Sequence, residues 1–191
     1  MTKPAASVVI ATRDRARLLA QCLDALARQT ASGRFEVIVV DNASADGTPD
    51  VIAQAARRDA AVRGIHVAMP NRAKARNAGI ALAEGALIVF CDDDTLPPAG
   101  FVDAHLSAHA EAKRTVVSGP IINVPDVAHL PPPAHRFYSR AFLCTCNASV
   151  SRADLLAVDG FDEGFELYGW EDTDLGVAGD VLERRRLRGI R

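Results

Sequence analysis

Residues 86–94 read ALIVFCDDD: six apolar residues in a row, then three aspartates. An unbroken apolar run of this length marks a strand covered on both faces, as in parallel sheets. Toward the N-terminus, Gly85 is the stop signal of an Ala-rich helix predicted over 72–83, which follows a strand over 65–69. Before these come a helix over 48–58, with Asp46 or Thr48 as cap and Pro49 in its first turn, and a strand over 35–40 (FEVIVV). Leu18, Leu19, Cys22, Leu23 and Leu26 recur at helical spacing over 15–28, behind a β-branched strand over 7–11 (SVVIA). This strand-helix alternation predicts an α/β fold, a Rossmann-like, mostly parallel sheet with helices on both faces.

In the other direction the pattern gives a helix over 99–112, a strand over 115–122 and a loop over 125–136 that holds Pro125, Pro131, Pro132 and Pro133. A second β run over 142–150, a short helix over 153–158, a glycine- and acid-rich stretch over 159–169 and a helix from about 171 complete the chain. No repeat is visible, and the style changes only near Pro125.

The 191 residues, 49% hydrophobic and 24% charged, suffice for one domain with its own core and exclude a disordered chain. With 22 Lys and Arg against 24 Asp and Glu the net charge is -2, which argues against nucleic acid as a partner. No run approaches the ~18 apolar residues of a membrane span. The first apolar run is too short for a signal-peptide core. The four cysteines form no C-x-x-C pair, and a reduced, cytoplasmic chain is expected. Cys22 and Cys91 read as buried thiols, whereas Cys144 and Cys146 flank Thr145 on a predicted strand and share a face, a conceivable metal pair with no further ligand beside it.

Ligands of open parallel sheets bind beyond the carboxyl ends of the strands. There the first strand delivers Thr12, Arg13 and Asp14, the second Asp41, Asn42 and Ser44, and the fourth Asp92, Asp93 and Asp94. The first strand is followed by ATRDR, without the glycines of a dinucleotide site, and no P-loop occurs. Three adjacent carboxylates repel one another and call for compensation. A hard divalent cation, Mg2+ or Mn2+, supplies it economically, with oxygen-only ligands shared with substrate phosphates; a solvated acidic turn is the plain alternative. His105 and His109 are four apart but lack the H-E-x-x-H pattern and read as a surface pair.

Four blocks, SVVIATRDR at the first strand, VIVVDNASADGT at the second, NRAKARNAGIALAEGALIVFCDDD through the fourth and GFDEGFELYGWEDTDL near the end, resemble the family 2 glycosyltransferases, which have the glycosyltransferase A fold. The resemblance covers nearly the whole chain. It implies transfer of a sugar from a nucleotide diphosphate sugar, a UDP-sugar above all, to an acceptor hydroxyl, with inversion and a divalent cation, Mn2+ or Mg2+.

Carried over residue by residue, the resemblance makes Asp41 the base-recognising aspartate and puts Thr12, Arg13 and Arg76 in the nucleotide cleft. Arg76 equally suits an ion-paired surface. Asp92 and Asp94 match the D-x-D pair, with Asp94 the direct metal ligand and Asp92 either beside it or near the donor sugar; Asp93 falls in the same donor site. Asp172 matches the catalytic base, and Trp170 and Glu171 fall on the acceptor side. The physical case for Asp172 is a carboxylate beside Trp170 at a helix start, aimed at the acceptor hydroxyl; acids there equally suit the helix N-terminus electrostatically.

The resemblance divides the chain into a nucleotide-sugar-binding half, 1–123, and an acceptor and catalytic-base half, 124–191. Family members run on past the position of Arg191 and often supply a histidine to the metal from that region, so the second half is expected to be incomplete. A truncated, non-catalytic nucleotide-sugar-binding module is the alternative. The acceptor is a sugar, a lipid-linked or a small molecule. The basic end, Arg184, Arg185, Arg186, Arg188 and Arg191, suits either contact with an anionic membrane surface or a solvated helix face. A sugar-nucleotide-forming nucleotidyltransferase would want a glycine-rich basic loop after the first strand, and a haloacid-dehalogenase-type phosphatase would want Thr or Val where Leu96 stands.

Overall fold

The computed structural model describes residues 3–31, 33–110, 115–124, 143–165, 175 and 183–186, the last of these by backbone alone. The described strands are β1 (Ala6–Thr12), β2 (Phe35–Asp41), β3 (Val62–His66), β4 (Leu87–Cys91), β5 (Thr115–Ser118), β6 (Asn147–Ser151) and β7 (Glu183–Arg186). Between them lie α1 (Ala16–Leu26), α2 (Thr48–Arg58), α3 (Arg72–Leu82), α4 (Phe101–Ala110) and α5 (Arg152–Ala157). The sheet runs β3-β2-β1-β4-β6-β5-β7. β6 is antiparallel to both β4 and β5; the other pairings are parallel.

The apolar runs become strands buried on both sides, as their unbroken hydrophobicity requires. Val8, Ile10, Val37, Val39, Val89 and Cys91 face a core closed by Leu19, Cys22 and Leu26 of α1, Ile52 of α2 and Phe101 of α4. Val9, Ile38, Val40, Ile88 and Phe90 face the other core, closed by Ala73 and Ile80 of α3, Leu155 of α5 and Phe161. Successive strand residues thus alternate between two helical layers.

Several boundaries move. β3 lies three residues before the predicted strand because pairing with β2, from Val37 opposite Val62 to Asp41 opposite His66, sets its span. Gly64 disguised it: a side chain there would run into Ile52, so the glycine is what lets α2 close on the strand. The β run after the proline loop begins only at Asn147, because Asn147 N–H donates to Cys144 O (3.1 Å) and makes residues 144–147 a turn. Part of the basic end is also revised. Glu183–Arg186 is a strand parallel to β5, not a helix face, and it takes up the ladder groups that β5 would otherwise leave open.

His105 and His109 are not a surface pair. His105 is fully buried, and both rings reach the Ser149 hydroxyl on β6, at 2.8 Å from His105 Nδ1 and 2.9 Å from His109 Nε2. The Asn147 amide donates to Pro120 O, so its Oδ1 accepts from His105 Nε2 at 3.0 Å. His105 Nδ1 then accepts from Ser149, which accepts from His109, so these bonds are made with both rings neutral. The proline-rich loop and the helix predicted from about 171 lie outside the described residues, except for Leu175, which is buried in the second core.

Candidate functional site

The order β3-β2-β1-β4 brings the carboxyl ends of β1, β2 and β4 side by side, and Thr12 pairs directly with Asp41 in the parallel ladder. The loops after β1 and β2 are bonded to each other. Asp14 N–H donates to Ser44 Oγ (2.9 Å), and Asp14 Oδ1 accepts from Ala45 N–H (2.6 Å). The Asp46 carboxylate accepts from Ala16 N–H (3.1 Å) and from Thr48 N–H (2.9 Å), so one acid serves the N-termini of both α1 and α2. Asp14 (φ 54°) and Ala43 (φ 60°) hold left-handed conformations in these two loops. Such conformations persist only where surrounding contacts over-determine them.

Asp41 is 3% exposed; its Oδ1 accepts from Ser44 N–H (3.0 Å) and its Oδ2 lies 2.9 Å from Nδ1 of the exposed His66 ring. Burial works against its charge, but the Ser44 and His66 hydrogen bonds outweigh that and hold its pKa below the usual carboxylate value. Asn42 Oδ1 accepts from Asn71 N–H (2.8 Å), tying the β2 loop to the start of α3, where Asn71 caps the helix through Lys74 N–H (2.9 Å).

The three aspartates after β4 diverge. Asp93 is buried and turned inward, accepting from the Thr12 hydroxyl (2.7 Å) and from Arg15 Nη1 (3.1 Å); burial raises its pKa against those two contacts. Both of its oxygens are thus taken up within the fold. Asp94 is exposed and 2.6 Å from the same Arg15 nitrogen. Desolvation opposes the Arg15 charge, yet Asp93 and Asp94 together raise its pKa above the ordinary value. Asp92 is partly exposed, on the side of Arg76, whose Nη2 is 3.9 Å from it. Part of the compensation that three adjacent acids demand is thus supplied by two arginines.

Arg76 is 8% exposed, not a surface residue. Its Nη2 donates to Thr145 Oγ1 (2.7 Å), and its guanidinium carbon lies 5.5 Å from the centroid of the Phe161 ring. Phe161 is itself fixed edge-on against Phe90 (5.5 Å, 80°). Asn77 of α3 holds it too, accepting from Phe161 N–H and donating to Phe161 O (2.9 and 2.8 Å). Gly160 permits that approach: it has φ 71°, and a side chain there would meet Asn77 Oδ1.

The structure therefore gathers Thr12, Asp41, Arg76 and Asp92 to Asp94 at one edge of the sheet. Arg13 is exposed and, among the described residues, its ion pair is with Asp14 (3.6 Å). Trp170, Glu171 and Asp172 lie outside the described residues. Sequence reading missed Arg15, His66, Thr145 and Phe161; of these only Arg15 carried a signal, as a second cation in ATRDR facing a run of acids. Among the described residues no group of three His, Cys, Asp or Glu is placed to hold a metal by itself. No described helix is long and apolar enough to cross a membrane. A cavity of about 310 Å³ at the opposite edge is lined by Leu23, Leu26, Phe35, Val37, Ala55 and Val62 among others, and is remote from these groups.

The sequence profile of Glycosyl transferase family 2 matches residues 7–165. Validoxylamine A glucosyltransferase of Streptomyces hygroscopicus subsp. jinggangensis is 32% identical in an alignment of 213 positions, gaps included, that covers 91% of this chain and 50% of that protein. The uncharacterized glycosyltransferase EpsJ of Bacillus subtilis is 33% identical over 61% of this chain and 33% of its own length. The chain thus spans about half or less of these relatives. Among solved structures, residues 1–349 of S. aureus TarS superpose with a TM-score of 0.76 at 21% identity, over 94% of this chain and 57% of that one. Mannosyltransferase PcManGT from Pyrobaculum calidifontis, in complex with GDP-Man and Mn2+, gives 0.68 at 22% identity over 97% and 57%. These likenesses establish the glycosyltransferase A fold. With the profile matching most of its length and a relative above 30% identity over nearly all of it, the chain belongs to glycosyl transferase family 2.

Proposed function

We propose that this chain carries the donor-binding and catalytic domain of an inverting, divalent-cation-dependent glycosyltransferase that uses a UDP-sugar, with residues 1–123 binding the donor and 124–191 contributing the acceptor site and base. The observation that carries the reading is the divergence of the acids after β4. Asp93 is fixed inside, while Asp92 and Asp94 remain solvent-accessible on either side of it, beside Thr12 and Asp41. Two oxygen ligands on a rigid strand end fit Mg2+ or Mn2+, which use few protein carboxylates and take their remaining oxygens from substrate phosphates and water. The cation supplies neutralisation of the nucleotide diphosphate as it departs. That S. aureus TarS was solved with UDP-GlcNAc and with UDP, and PcManGT with GDP-Man and Mn2+, supports this class of ligand.

In this reading Asp94 exchanges Arg15 for the cation, and Asp92 stands by the cation and the donor sugar. Asp93 acts as a positioning residue for Thr12 and Arg15. Arg13 closes the cleft from outside, and Arg76 fixes the Asp92 side of it. Asp41 accepts the N3–H of uracil at Oδ2, which requires the exposed His66 ring to move aside. Asp172 removes the proton of the acceptor hydroxyl, the acceptor oxygen bonds to the anomeric carbon from the face opposite the nucleotide, and the carbon–diphosphate bond breaks. Trp170 and Glu171 orient the acceptor, a sugar, a lipid-linked or a small molecule. The basic stretch from Arg184 onward offers peripheral contact with an anionic membrane on the cytoplasmic side.

The test is titration calorimetry of UDP with Mn2+, followed by sugar transfer. Asp94→Ala should abolish the metal-dependent part of UDP binding and keep the fold. Asp172→Asn should bind UDP normally and transfer sugar about 10²- to 10⁴-fold more slowly, as expected for loss of a general base. Tight binding of guanosine in place of uridine nucleotides would refute the base assignment. A wild type that binds UDP but transfers to no acceptor would favour the binding module.

A further inference from the structure

Cys144 and Cys146 stand on the turn that supports Arg76. The hydrogen bond from Asn147 N–H to Cys144 O closes the turn and brings the two Sγ atoms to 3.0 Å, with both side chains half-buried. The molecule contains its own contrast. Cys22 and Cys91 are 3.9 Å apart and fully buried between α1 and β4. A disulfide needs about 2.0 Å between sulfurs. The turn can close that gap by small side-chain rotations, whereas the buried pair would have to draw a packed helix and strand together.

We propose that Cys144 and Cys146 form a redox-modifiable dithiol that closes to an intramolecular disulfide by exchange with a low-molecular-weight disulfide, and that closure weakens donor binding through Thr145 and Arg76. Cys144 sulfur, as thiolate, attacks one sulfur of oxidised glutathione, whose S–S bond breaks and releases one glutathione. Cys146 then attacks Cys144 sulfur in the mixed disulfide and releases the second. The dithiol loses two electrons and two protons, and two reduced glutathione molecules carry them. Both thiols stand on one turn 3.0 Å apart, so the thiol left free in the mixed disulfide is already placed for the second step. Such a couple suits a reducing compartment, where disulfides are transient and regulatory.

The coupling runs through the residue between the cysteines. Thr145 is 3% exposed, and its hydroxyl accepts from Arg76, which in turn stands 3.9 Å from Asp92. The β4–β6 register pairs Cys91 with Asn147, so the residues just beyond, Asp92 and Cys146, leave the ladder side by side. Tightening the turn pulls Thr145 from Arg76 and releases the guanidinium that steadies Asp92. This consequence rests on the donor-site reading above; the disulfide itself does not.

The full chain is incubated in mixtures of oxidised and reduced glutathione, alkylated and digested with trypsin, which releases residues 141–152 as one peptide holding both cysteines. That peptide should become two hydrogens lighter and escape alkylation, reversibly with dithiothreitol, while Cys22 and Cys91 stay reduced. Only single glutathione adducts, or preferential oxidation of Cys22 and Cys91, would overturn the dithiol. In parallel, UDP with Mn2+ should bind oxidised wild type about tenfold more weakly, the size of losing one hydrogen bond to a charged group. Cys144→Ser treated identically should bind as the reduced protein does. Equal affinity of oxidised and reduced wild type would overturn the link to the donor site. Failure of reduced protein to bind UDP would refute the functional reading and with it that link, leaving the peptide mass to decide the disulfide.

Discussion

Arg15 holds two acids with different duties: Asp93, fixed inside at 3.1 Å, and Asp94, exposed at 2.6 Å where a cation is proposed to bind. If Arg15 and the cation compete for Asp94, Arg15→Gln should tighten Mn2+ binding measured without nucleotide. The exposed pair is worth up to ~1 kcal/mol, so the gain should be severalfold at most. Titration of free Mn2+ by paramagnetic resonance reads it directly, and weaker binding in the variant would assign Arg15 to the diphosphate instead. Asp41, Thr12 and Arg76 were legible as candidates because each sits in a recognisable block. Their partners were not: His66, Thr145 and Phe161 join the site across 25 to 85 residues of chain, and a contact at that separation leaves no local pattern.

The proposed donor edge is a pair of loops cross-bonded through Asp14, Ser44 and Asp46, with left-handed backbone at Ala43, where φ is 60°. A non-glycine residue in that conformation costs roughly 1–2 kcal/mol, and glycine avoids it at an entropic cost somewhat smaller. Ala43→Gly should therefore raise stability by about 0.5–1 kcal/mol, read as a higher urea midpoint at unchanged slope. A lower midpoint would mean that the Ala43 methyl packs to more effect than the strain it carries. The helices framing these loops were legible in sequence to within a few residues. The span of α2 was read directly, since Pro49 and the apolar spacing fix a first turn locally.

At the scale of the molecule, the His105–Ser149–His109 network ties α4 to β6, the strand that turns the sheet antiparallel. Burial lowers the His105 pKa to about 4, against an unfolded value of 6.5. The unfolded chain therefore binds a proton that the folded chain excludes as pH falls from 6.5 to 4. Stability should drop across that window by about 3 kcal/mol, fully present above 6.5 and lost below 4. Urea unfolding at pH 7 and pH 4 measures it, beside His105→Asn, in which the additional loss over this window should shrink by that amount. An equal pH dependence in the variant would place the acid sensitivity elsewhere. Asp41 and Glu36, whose pKa values the fold lowers, add their own loss only as pH falls below the ordinary carboxylate range.

The sequence by itself determined the two-layered α/β sheet, because its strands are short unbroken apolar runs between amphipathic helices, and burial on two faces is the one arrangement that removes such runs from water. It also determined where polar groups emerge, since the end of a buried strand is where the apolar run stops, as at Asp41 and Asp92. Tertiary structure alone decided which of three neighbouring aspartates turns inward, because that depends on Thr12 and Arg15 arriving from another strand. It decided that Arg76 is buried over Phe161, that His105 is a core residue bonded with His109 to Ser149, and that Glu183–Arg186 is a strand. Each of these outcomes is set by the partner a residue meets after folding, and a charged or polar side chain carries no record of that partner in its own neighbourhood of the chain.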